Sequence, residues 1–156
     1  MLNILIQETD LFFQAGLQSF FDDFFKHNFH RSITFHLALT NENVSQADII
    51  VLSLCQGETL TCFPELLARQ KGIVIGLVDD ELRFSALPSC FQDIIFLPRR
   101  ASLDRISGVL FIAWFRTQLP GYTLNKKTCF DCQHKGLSRQ QIRIMVNFYR
   151  GLSVVQ

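Results

Sequence analysis

The chain has no uninterrupted apolar run of about 18 residues, the length a helix needs to cross a bilayer, so no membrane-spanning helix is expected. Its amino terminus lacks the basic segment and cleavage site of a secretory signal, which makes a cytoplasmic location the expectation. Five cysteines are an odd number, and Cys55, Cys62 and Cys90 lie among apolar neighbours, where a free thiol behaves as a small hydrophobe. A disulfide framework is therefore not expected. No internal repeat is visible. The segments that follow the apolar runs carry no Gly-rich or Ser/Thr-rich cradle for phosphate, which argues against an enzyme that uses a nucleotide or flavin, and no cofactor is expected.

What is present is enough apolar material for a core. Hydrophobic residues make up 48% of the 156, which excludes a disordered chain and allows one full domain with a small appendage. The net charge of +1 conceals an asymmetry. Residues 1–98 hold 5 Lys/Arg against 12 Asp/Glu, a net of −7, whereas residues 99–156 hold 10 against 2, a net of +8. An acidic body followed by a basic end is the pattern of a protein that meets a polyanion such as DNA with one segment only.

Hydrophobic periodicity divides the chain into alternating elements. Residues 1–7 read as a buried strand, and 11–27 carry apolar residues at mostly helical spacing, with Thr9 or Asp10 as N-cap. Residues 32–39 alternate toward a strand, and 41–46 are polar, so that the next helix is expected to be missing or reduced to a turn. The run Ile49-Ile50-Val51-Leu52 within 47–55 and the segment 72–78 suit strands covered on both faces. A helical pattern returns over 58–70, with Pro64 kinking it or marking its first turn. After 78 come the acidic cluster Asp79-Asp80-Glu81, expected as a solvated loop, and a weak helix broken at Pro88. Residues 93–97 form another strand and 102–118 a strong helix.

Short apolar strands alternating with helices imply parallel pairing by right-handed crossovers. The predicted fold is α/β: a flavodoxin-like, five-stranded parallel sheet of order 2-1-3-4-5 with flanking helices over residues 1–118. Pro120-Gly121 ends the last helix, 119–136 read as a linker, and 137–156 open a second, all-helical unit. His27, His30 and His36 have no acidic partner at ligand spacing, and the phenylalanines are expected in the core. Cys129, Cys132 and His134 have a zinc-knuckle spacing but supply only three ligands; they are weak metal candidates, and incidental exposed cysteines are the leading reading.

The segment Leu137-Ser138-Arg139-Gln140-Gln141, an apolar helix, then Gly151-Leu152-Ser153 resembles the opening of the LuxR-type DNA-binding helix-turn-helix. Ser138 would cap the first helix, Gln141 complete its capping box, Gly151 end it and Ser153 cap the second. A receiver-like pattern, a linker and then this helix is the order found in LuxR-type regulators of the NarL/FixJ class and in RcsA-like regulators. The recognition helix that would enter the major groove does not follow within the chain, so a sequence-specific DNA contact is expected only of a complete carboxyl-terminal domain.

The resemblance also implies a pocket, and this chain departs from it. A working receiver holds magnesium with an acidic pair, accepts phosphate on an aspartate after the third strand, and places a hydroxyl and a lysine after the fourth and fifth. In Ile6-Gln7-Glu8-Thr9-Asp10 one acid is kept at Glu8, and Thr9 stands for the second. The nucleophile position falls at Ser53, which has no neighbouring base, the hydroxyl position at Leu77, and the lysine position at Arg99. Phosphorylation on aspartate is not expected. The helix 102–118 is apolar nearly all round, and in receiver-like domains it commonly forms a dimer contact, so Val109, Ile112, Phe115 and Arg116 are the interface candidates. These features suggest a non-enzymatic transcription regulator that forms a homodimer, or a heterodimer with another LuxR-type regulator. The alternative is a stand-alone module that modulates a full-length regulator without binding DNA.

Overall fold

A computed structural model describes residues 1–54, 63–79, 93–122, 141 and 144–145. Five strands, β1 (Leu2–Gln7), β2 (Ile33–His36), β3 (Ile49–Ser53), β4 (Ile73–Val78) and β5 (Ile95–Pro98), form one parallel sheet of order β2-β1-β3-β4-β5. This is the flavodoxin-like order expected from the alternation of strand and helix. Three α-helices flank it among the described residues: α1 (Leu11–Phe29), α2 (Asn41–Gln46) and α3 (Leu103–Thr117), with a 3-10 turn at Pro64–Ala68.

Strand side chains point alternately to the two faces of the sheet, and both faces are covered. Ile4, Ile6, Ile49, Val51, Ile75 and Leu77 face α1 and α3, together with Leu17, Phe21, Phe25, Leu110 and Trp114. On the other face Leu5, Ile50, Leu52 and Val74 pack with Val44 of α2 and with Phe63 and Leu66. The edge-to-face contact of Phe25 with Trp114, ring centres 5.3 Å apart, ties the lower halves of α1 and α3 together.

Helix ends follow local chemistry. Of the two N-cap candidates for α1, Asp10 does the capping: its carboxylate accepts from the backbone N–H groups of Phe12 and Phe13 at 3.0 and 3.2 Å. Ser102 caps α3 by accepting from Arg105 N. The segment expected to lose its helix or keep only a turn forms α2, six residues long. Thr40 caps it through Asn43 N, and the fully buried Val44 is its anchor. One apolar residue in a polar hexapeptide leaves no period to read, which is why the pattern missed it. In the expected helix over 58–70 the described part is only the 3-10 turn, with Pro64 at its start.

Arg69 ties together the connections on either side of β4. Arg69, 6% exposed, donates from Nη1 to both Asp93 carboxylate oxygens at 3.0 and 2.8 Å and from Nη2 to the Gly72 carbonyl at 3.3 Å. Gly72 itself has φ +83°, and a Cβ there would lie 1.9 Å from the Asp48 carbonyl oxygen, so only glycine fits this entry to β4.

Candidate functional site

In a parallel α/β sheet the strands end at one edge, and side chains just beyond their carboxyl ends converge there. Here that edge brings together Glu8 after β1, Ser53 at the end of β3, Asp79 after β4 and Arg99 after β5. The backbone sets the spacing: Leu54 N donates to Leu77 O and Arg99 N to Val78 O, both at 2.8 Å, extending the ladder one residue past each strand.

Arg99 is the centre of the cluster. Its Nη1 donates to Glu8 Oε2 at 3.2 Å, and its Nη2 reaches the Leu54 carbonyl at 3.4 Å. Nε lies 3.1 Å from Asp79 Oδ1, close enough for an ion pair but off the line of its N–H, so that contact is ionic rather than hydrogen bonded. The guanidinium also sits 5.9 Å from the centre of the Phe13 ring. The Glu8 side chain is 3% exposed, that of Arg99 25% and that of Asp79 60%. Glu8 Oε1 meanwhile accepts from Asp10 N at 3.0 Å, so the carboxylate is committed on both oxygens.

The positions implied by the receiver resemblance separate on inspection. Glu8 and Arg99 touch. Thr9 is exposed, and Leu77 is buried in the core face beneath α1 and α3, opposite Ser53 in the strand register. Ser53 Oγ is buried without a hydrogen-bond partner among the described residues. The loop acid Asp79 is not simply solvated: it shares the Arg99 guanidinium with Glu8. Sequence reading missed this: strands 4 and 5 were expected side by side, but the order of strands does not say which loop side chain turns toward Arg99. A guanidinium between two carboxylates can neutralise them, but it supplies no nucleophile, and a serine hydroxyl without a base is a poor phosphate acceptor. Among the described residues no three His, Cys, Asp or Glu side chains converge as a metal site would require. Cys129, Cys132 and His134, and Leu137, Ser138, Gly151, Leu152 and Ser153, lie outside the described residues; Gln141, Ile144 and Met145 are helical.

No protein-family model matches the chain, and no curated protein does. Solved structures do resemble it. A fusion of the yeast Spc42 trimeric coiled coil, amino acids 181–211, to another structure aligns over 98% of this chain and 92% of its own, with a TM-score of 0.50 and 15% identity. The N-terminal domain of a response regulator/sensory box/GGDEF three-domain protein from Carboxydothermus hydrogenoformans aligns over 72% of this chain and 94% of its own, with a TM-score of 0.49 and 17% identity. The response regulator ChrA of a heme-sensing two-component system aligns over 97% and 77%, with a TM-score of 0.44 and 16% identity. At 15% identity the likeness to the first of these is one of fold.

The interface candidates lie along α3. Ile106, Leu110, Ala113 and Trp114 are buried against the sheet, and Val109 is half-buried beside them. Ile112 and Phe115 are 57% and 54% exposed, Arg116 is exposed, and Phe111 stacks on Phe29 of α1 with ring centres 5.6 Å apart. The sequence suggested a helix buried on more than one side; among the described residues one side is buried and Ile112 and Phe115 form an exposed apolar stripe. No helix among the described residues is long and apolar enough to cross a membrane.

Proposed function

We propose that this chain is the regulatory part of a bacterial transcription regulator, in which a receiver-like domain that no longer takes phosphate mediates dimerisation or partner binding and positions a LuxR-type DNA-binding domain. The observation that carries the reading is the occupied corner of the sheet, where Arg99 bridges Glu8 and Asp79 and a serine ends β3. Among the described residues, Glu8 is held on both oxygens and the end of β3 offers a phosphoryl group a serine in place of an aspartate. The domain performs no catalysis of its own, works in the cytoplasm, and is controlled by what it binds. The outward stripe of Ile112 and Phe115 supports a protein contact, and the excess of basic residues after 98 supports a contact with DNA.

The experiment is incubation with acetyl phosphate and magnesium, read by intact mass, beside gel-shift titrations of the full reading frame at increasing salt. Expected are an unmodified protein and a DNA affinity that falls steeply with salt. Stoichiometric labelling of a carboxylate refutes the phosphate-free reading. DNA binding indifferent to salt refutes the rest.

A further inference from the structure

Helices α1 and α3 are closed on each other at their lower ends by the Phe25–Trp114 and Phe29–Phe111 contacts, and nearer their amino ends a gap lies between them. The gap is a cleft of about 650 Å³ between Gly16 on one helix and Ser107 on the other, walled by Phe13, Phe20 and Phe24 and bounded at its upper end by Arg99. The volume lies within the roughly 300–1,000 Å³ that small-molecule sites occupy, and the lining has the usual make-up of such sites, apolar with a few convergent polar groups.

We propose that this cleft binds an uncharged, predominantly apolar small molecule that places one hydrogen-bond acceptor, a carbonyl or hydroxyl oxygen, on the Arg99 guanidinium. Charge decides the class of ligand. Arg99 already faces the Glu8 and Asp79 carboxylates, and Asp23 stands on the wall, so an anion meets more negative charge than positive. For a cation, the place beside the Glu8 and Asp79 carboxylates and against the Phe13 ring is already taken by the guanidinium. A neutral acceptor has neither penalty, and the guanidinium has more N–H donors than its described partners take up. Such a ligand would touch the corner of the sheet and α3 together, giving a domain without a phosphate trigger a chemical input. The cleft stands whether or not DNA binding follows.

The probe is Prodan, an uncharged naphthalene dye with one ketone oxygen that brightens in apolar surroundings, compared with anilinonaphthalene sulfonate, a naphthalene dye that carries one negative charge. Gly16→Leu fills the cleft from a helix position where an added Cβ meets nothing within 4 Å, and Gly108→Leu makes the same change on α3 outside the cleft, again with nothing within 4 Å. Expected are saturable binding of the uncharged dye, about tenfold weaker binding of the sulfonate, about tenfold weaker binding of the uncharged dye to Gly16→Leu, and an unchanged affinity in Gly108→Leu. Both variants should unfold no earlier than the parent, because leucine favours helix over glycine. Equal dye affinity in Gly16→Leu and the parent overturns the proposal, as does tighter binding of the sulfonate. Loss of self-association in Gly16→Leu during sedimentation also overturns it, since a second copy of the chain would then be the occupant.

Discussion

Replacing Arg99 with methionine keeps a long unbranched side chain and removes the charge, which leaves the Glu8 carboxylate buried without its cation. Breaking a fully buried ion pair from one side costs about 3–5 kcal/mol. Here a quarter of the Arg99 side chain is exposed, which lowers the figure to about 2–3 kcal/mol for Glu8. The contact with Asp79, itself 60% exposed, adds at most about 0.5 kcal/mol, and the long bond to the Leu54 carbonyl a similar amount. Arg99→Met is therefore expected to destabilise the domain by about 3 kcal/mol, which lowers Tm by roughly 10 °C for a chain of this size. Removing the carboxylate instead, with Glu8→Gln, should cost about 2 kcal/mol, because the amide keeps the shape and can still accept from Asp10 N. The double variant should be little worse than Arg99→Met alone, a coupling energy of about 2 kcal/mol. Urea unfolding followed by circular dichroism on the four proteins measures the cycle. A coupling energy below about 0.5 kcal/mol would refute the idea that Arg99 serves as the built-in counter-ion of this corner.

Three further outcomes test other parts of the structure. Gly72→Ala forces a Cβ to within 1.9 Å of the Asp48 carbonyl at φ +83°, and should destabilise by about 3 kcal/mol or more in the same urea titration. Asp10→Ala removes the cap on α1 and should cost about 1 kcal/mol, with the amides of Phe12 and Phe13 exchanging faster with deuterium. The paired change Ile112→Glu with Phe115→Glu places charge on the outward stripe of α3; sedimentation should show a monomer where the parent self-associates, at a Tm within a few degrees of the parent, since both side chains are more than half exposed.

Much of the architecture could be read from residue order because the central strands are buried on both faces. Ile49-Ile50-Val51-Leu52 and Ile73-Val74-Ile75 have no polar interruption, and such runs between helical segments leave a parallel sheet as the natural arrangement. The short edge strand β2 was harder to bound: four residues pair where eight were expected, and all four are half-buried, so little burial marks their limits. Helix α2 was invisible because its hold on the sheet is one valine and one threonine cap. At the corner, counting along the strands located Glu8, Ser53 and Arg99, since each sits at or just past a strand end. What counting could not supply was the partnership of Arg99 with Asp79, the bidentate grip of Arg69 on Asp93, or the cleft beneath Gly16. Each joins residues far apart in the chain or depends on how two helices tilt.

The place where the described chain leaves the sheet has a mechanical consequence. Leu119 N and Tyr122 N continue the turn that ends α3, and the Tyr122 hydroxyl reaches the Gly72 carbonyl at 3.5 Å, at the end of the strands opposite Arg99. Tyr122 thus lies at the floor of the domain, while the charged corner is at its roof. The fifteen residues of α3 span the distance between them, about 22 Å at 1.5 Å each. Roof and floor are thus joined by one continuous helix, clasped to α1 in its lower half by Trp114 and Phe111.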